Sequence, residues 1–95
     1  MRRNIALRKL RALKPALARH NVRSIAVFGS VARDEAGDKS DIDLLVEFSK
    51  APGLLDFVAL QRELTKKLGR NVDLVTRDAL HPRLKDSILA EAVYA

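Results

Sequence analysis

Ninety-five residues, 47% of them hydrophobic and none a cysteine, describe one small domain over residues 1–95 with a modest core and neither a disulfide frame nor a thiolate metal site. No stretch approaches the ~18 apolar residues of a membrane helix, and no signal-type apolar run opens the chain, so the expectation is a soluble protein of the cytoplasm with no membrane partner. The formal charge of +6 is uneven: residues 1–23 hold eight basic side chains and no acid, while residues 24–95 hold ten basic and twelve acidic ones.

The basic segment carries Ile5, Leu10, Leu13 and Leu17 at near-helical spacing, which predicts amphipathic helix. Pro15 lacks an N–H and clashes with the preceding turn, so the segment divides into helices over about 3–13 and 15–20, with Pro15 opening the second. Its charges read either as a dock for an acidic protein or an RNA, or as a solvated helix face. Aromatic residues are only 4% of the chain; a base-stacking platform, and with it direct nucleic-acid binding, is not expected. Residues 24–28 form a buried strand ended by Gly29, then a short helical turn runs from Ser30 to Arg33, and residues 37–40 are turn chemistry.

Residues 41–48 alternate, with Ile42, Leu44, Val46 and Phe48 facing one way and Asp41, Asp43, Leu45 and Glu47 the other, as in a half-buried strand with an acidic entrance. After Pro52-Gly53, the residues Leu54, Phe57, Leu60, Leu64 and Leu68 mark a helix that stops at Gly69. Val72 to Val75 is a third strand. Leu80, Leu84, Ile88 and Ala92 mark a closing helix with Pro82 near its start. The leucine and phenylalanine stripes are assigned to the core, and Tyr94 to packing. The expected fold is α/β (α+β), a three-stranded mixed sheet flanked by helices.

Asp41 and Asp43 are two apart on a strand, so their carboxylates leave the same face. Such a pair repels unless a cation lies between them, and Mg²⁺ is the simplest choice because it favours one or two carboxylates, water and substrate phosphates. The long helical link from strand 41–48 to strand 72–75 favours a parallel crossover, which brings Asp73 to the same sheet edge. Three carboxylates there are enough for two metal ions clamping a phosphoryl displacement, with Asp73 placed to activate the acceptor. Gly29-Ser30, between a strand end and a helical turn, suits a phosphate: glycine allows close approach, free amides face the anion, and the Ser30 hydroxyl adds a donor. For that turn to face the aspartates, strand 24–28 must run antiparallel to the other two. Arg33 reads equally as a phosphate contact or as the brace of a nearby acid. Glu47, His20 and His81 read as surface or helix-end residues.

Gly29-Ser30-Val31-Ala32-Arg33, Ser40-Asp41-Ile42-Asp43-Leu44-Leu45-Val46 and Val72-Asp73-Leu74-Val75 together resemble the DNA polymerase beta-like nucleotidyltransferase superfamily. Over nearly its whole length the chain is similar to the minimal nucleotidyltransferase antitoxins encoded beside HEPN-domain toxins. The resemblance implies Mg²⁺, a nucleoside triphosphate (ATP), and transfer of a nucleoside monophosphate with release of pyrophosphate. It implies that Gly29 and Ser30 bind the triphosphate, that Asp41 and Asp43 bind metal and that Asp73 is the third carboxylate. The implied acceptor is a tyrosine hydroxyl on a partner HEPN toxin. One position departs from the pattern: Asp34 stands where the family often has glycine, which suits a left-handed exit from the short helix. A non-catalytic antitoxin acting by occlusion is the competing expectation. Transfer to a small molecule or RNA fits less well, because so short a chain has no second domain to hold such an acceptor.

Overall fold

The computed structural model describes residues Met1–Ala95. The elements are α1 (Arg3–Ala12), α2 (Lys14–Arg19), β1 (Val22–Phe28), α3 (Gly29–Ala32), β2 (Ile42–Phe48), α4 (Leu54–Leu68), β3 (Val72–Thr76), a 3₁₀ turn (Arg77–Ala79), α5 (Pro82–Glu91) and β4 (Val93–Tyr94). Pro15 falls in the first turn of α2, where its missing N–H costs nothing. Gly69 ends α4 in the left-handed region, φ +73°, which suits a residue without Cβ.

The sheet is mixed, in the order β3-β2-β1-β4. β1 and β2 are antiparallel, and β2 and β3 are parallel across the α4 crossover, both as the sequence predicts. Four strands stand where three are expected. The fourth is a two-residue strand on the free edge of β1, with Ala26 opposite Tyr94 and Val27 opposite Val93. Two residues directly after a helix are too few for alternation to declare itself.

Alternation along β2 sends Ile42, Leu44 and Val46 into the larger core, against Leu7 and Leu10 of α1, Leu17 of α2 and the Leu60–Leu64–Leu68 stripe of α4. Each such side chain contributes roughly 1.5–3 kcal/mol by leaving water. The opposite face is not open as the half-buried reading has it. Leu45 is buried there with Ala26, Phe28 and Leu80, beneath Ile88, Leu89 and Ala92. α5 touches the sheet only through its C-terminal half, which leaves Leu84 55% exposed; Leu54, in the first turn of α4, is 78% exposed. These two leave the predicted core stripes because their ends of the helices lie beyond the covered sheet. Tyr94 is likewise 45% exposed on the edge strand rather than packed inside.

Candidate active site

The site lies at the edge where β2 and β3 begin and β1 ends. Strand β2 starts at Ile42, so Asp41 precedes it by one residue and is exposed. The register pairs Asp43 with Asp73 on the parallel strands and with Phe28 on β1. Paired residues of adjacent strands share a pleat phase, so Asp43 and Asp73 emerge on one face, the face that buries Leu45 further in. Edge strand β3 is held firmly here: the Val72 N–H donates to Thr65 Oγ1 at 3.2 Å, Gln61 Nε2 donates to the Val72 carbonyl at 2.9 Å, and the Ile42 N–H donates to the Asn71 carbonyl at 2.9 Å. Asp73 follows immediately from this triply anchored corner.

On the other side of Asp43, the chain leaves β1 through Gly29, φ +70°. A Cβ at this position would overlap Asp43 Oδ2 and stand 3.2 Å from its Cγ. Glycine is therefore required twice, once for the left-handed backbone and once for the approach of the carboxylate. Ser30 is half-buried beside it, and its hydroxyl makes no hydrogen bond within the chain.

None of Asp41, Asp43 and Asp73 is paired with a lysine or arginine. Partial burial pushes the Asp43 carboxyl above its ordinary value. The Asp73 carboxylate adds to this, then Asp41 and Glu91, against a smaller opposing effect of Arg33. An uncompensated cluster of hard oxygen donors of this kind fits a hard divalent cation such as Mg²⁺. The three carboxylates share the edge without converging into a three-ligand set. Asp43 and Asp73 are the pair that the fold brings side by side.

Arg33 is held by two acids beside the Gly29 turn. Its Nη1 donates to Glu91 Oε2 at 2.8 Å and its Nε to Glu35 Oε2 at 3.1 Å, and the bond to Glu91, then that to Glu35, raises its pKa. Glu91 also accepts the Gly29 N–H on Oε1 at 2.9 Å. No motif in the sequence points to Glu91; only the register of β4 brings it here. Asp34 adopts the left-handed conformation that glycine would take, φ +56°. Its Oδ1 accepts the Arg3 N–H at 2.7 Å, while Arg3 Nη1 donates to the Ala32 carbonyl at 3.0 Å. The departure from the family pattern thus comes with a gain: an anion on the first turn of α1, which has no cap of its own.

Residues outside the edge have structural partners. His20 caps the end of α2 and its Nε2 lies 2.8 Å from Glu63 Oε2. His81 caps α5 by accepting the Arg83 N–H. Glu47 is half-buried, with Arg77 Nη1 3.9 Å away.

Residues 10–95 match the model of the nucleotidyltransferase domain family. The chain is 49% identical over 83 residues to a Methanocaldococcus jannaschii protein provisionally named a protein adenylyltransferase, covering 87% of this chain and 89% of that one. It is 45% identical over 76 residues to the protein adenylyltransferase MntA of Thermococcus cleftensis, covering 80% and 77%. A solved structure described provisionally as a minimal nucleotidyltransferase superposes with a TM-score of 0.83 at 41% identity, over 98% of this chain and 95% of that one. The fold also recurs in a complex of tri-AMPylated Shewanella oneidensis HEPN toxin with MNT antitoxin, with a TM-score of 0.68 at 20% identity over 97% and 70% of the chains. On this sequence match and this sheet the chain belongs to the nucleotidyltransferase domain family, and it is a nucleotidyltransferase.

Proposed function

We propose that this enzyme transfers AMP from MgATP to a tyrosine hydroxyl of a partner HEPN-domain toxin and so acts, in the cytoplasm, as the antitoxin of a toxin–antitoxin pair. The observation that carries the reading is the in-register Asp43–Asp73 pair, set directly against the Gly29 turn. The names of the relatives as protein adenylyltransferases, and the AMPylated toxin complex among the structures of like fold, support the choice of acceptor class.

In this reading Asp41 and Asp43 hold Mg²⁺, with Asp73 completing the carboxylate set for a second ion. A metal held by these residues would supply positive charge against the triphosphate and against the charge that develops during transfer. The Gly29 amide, the Ser30 hydroxyl and the Arg33 guanidinium receive the phosphates. Asp73, on the exposed edge strand, takes the proton of the acceptor hydroxyl as its oxygen bonds to the α-phosphorus. The bond to the pyrophosphate oxygen breaks, and AMP is left esterified to the acceptor. The partner is drawn by the basic face: all eight arginines and lysines of residues 1–23 are exposed, and a field of this kind speeds encounter with an acidic surface.

Wild type, Asp43→Asn and Asp73→Asn, each incubated with MgATP and the purified toxin, test the proposal by intact mass of the toxin. Only wild type is expected to add AMP. Asp73→Asn is expected to keep MgATP binding in a calorimetric titration, while Asp43→Asn loses it. Toxin neutralised in cells equally well by Asp43→Asn would mean occlusion, not catalysis.

A further inference from the structure

Two of the three donors that a triphosphate would use on the Gly29 turn are already engaged by one side chain, and the Ser30 hydroxyl alone is free. Glu91 takes the Gly29 N–H on Oε1 at 2.9 Å and Arg33 Nη1 on Oε2 at 2.8 Å. A single carboxylate spanning a backbone amide and a guanidinium has the donor pattern of a phosphate with two bound oxygens, since arginine meets both anions in the same way.

The backbone delivers Glu91 to this place. β4 lies antiparallel to β1, with Ala26 opposite Tyr94 and Val27 opposite Val93. Continued by two residues on each strand, that register sets Glu91 opposite Gly29. α5 ends at Glu91, and Ala92 turns the chain into the strand at φ −62°, ψ 133°. The Ala95 N–H, donating to the Ile25 carbonyl at 3.0 Å, anchors the far end. The carboxylate is therefore aimed at the turn by a fixed element, yet it is not sealed in: the Glu91 side chain is 27% exposed and that of Arg33 47%.

One feature marks Glu91 as more than a brace for Arg33: Arg33 already has an acidic partner in Glu35, and only Glu91 also takes the backbone N–H of the Gly29 turn.

We propose that Glu91 is an internal substitute for nucleotide phosphate: in the nucleotide-free enzyme its carboxylate occupies the seat made by the Gly29 amide and the Arg33 guanidinium, and it swings out when the triphosphate enters. This rests on reading Gly29, Ser30 and Arg33 as the triphosphate site. The competition lowers nucleotide affinity, and it makes that affinity a property of α5 and β4 as well as of the motif turn.

The test is calorimetric titration of inorganic tripolyphosphate and of ATP, each with Mg²⁺, into wild type, Glu91→Gln and Glu91→Ala. Both variants are expected to bind both ligands about tenfold more tightly, as removal of a charged hydrogen-bonding competitor implies. In wild type labelled with ¹³C at glutamate carboxyls, the Glu91 resonance is expected to move on addition of tripolyphosphate. Equal or weaker binding by the variants, or a Glu91 resonance that stays in place while wild type binds, overturns the inference and leaves the site reading intact. The resonance arm decides the matter even where a variant fails to fold. Failure of wild type and both variants to bind either ligand overturns the site reading, and this inference with it.

Discussion

Two glycines in the same backbone conformation provide an internally controlled test of the site's geometry. Gly29 has φ +70° and Gly69 φ +73°, so alanine at either position incurs the same left-handed strain, about 1–2 kcal/mol. Nothing lies within 4 Å of a Cβ built on Gly69, whereas a Cβ on Gly29 overlaps Asp43 Oδ2. Relief at Gly29 requires the Asp43 side chain to leave its rotamer, a further cost of about 1 kcal/mol. Gly69→Ala is therefore expected to lose about 1–2 kcal/mol and Gly29→Ala about 2–3 kcal/mol, where each kcal/mol is about 4–8 °C in Tm for a chain of this size. The two should part more widely in activity. In the proposed site, displacing the Asp43 carboxylate by about an ångström costs about a hundredfold or more in transfer, while Gly69→Ala, whose added Cβ meets nothing within 4 Å, is expected to leave transfer near the wild-type rate. Thermal melts paired with a radiolabelled-ATP transfer assay decide the matter. Equal losses of stability and of transfer in both variants would refute the placement of Asp43 against the turn.

The raised pKa of Asp43 fixes the sign of a pH effect. The folded state binds more protons than the unfolded chain between the ordinary value of about 3.9 and the raised one, so this stabilisation is complete below the former and is lost as pH rises through the latter. In metal-free buffer at neutral pH, Asp43→Asn is thus expected to melt up to about 5 °C higher than wild type, from relief of at most about 1 kcal/mol of screened repulsion. That advantage should shrink as pH falls through the carboxylate range, and Mg²⁺ should stabilise wild type more than the variant; a variant that melts lower at neutral pH contradicts the electrostatic reading. At Asp34, alanine removes the anion on α1 and keeps the left-handed strain, whereas glycine removes both. Urea unfolding should show Asp34→Ala losing about 1–2 kcal/mol and Asp34→Gly clearly less.

The parts of the site that were legible in the sequence are those governed by short-range periodicity and by one chirality rule. Alternation over residues 42–48 put Asp43 on a different face from Ile42 and Leu44, and the long helical link made β2 and β3 parallel. Together these brought Asp43 and Asp73 to one edge, and the register then made them direct neighbours. The turn at Gly29 between a strand and a short helix was legible; its contact with Asp43 was not, because that depends on how closely β1 and β2 approach at their ends.

What was not legible depends on where the ends of distant elements meet. β4 is two residues long, and its identity as a strand comes from the free edge of β1 rather than from its own sequence. Glu91 inherits its role from that pairing: on its helix it is one polar residue among several, and only the ladder places it on Gly29 and Arg33. Asp34 is similar, since its carboxylate is explained by the first turn of α1, thirty-one residues earlier. In both cases a carboxylate serves a backbone N–H far away in the chain. Both flank the Gly29–Arg33 turn, yet only Glu91 holds donors of the turn itself, while Asp34 holds the start of α1. A contact between the ends of distant elements leaves no periodic trace, so neither carboxylate's partner could be read from its neighbours in sequence.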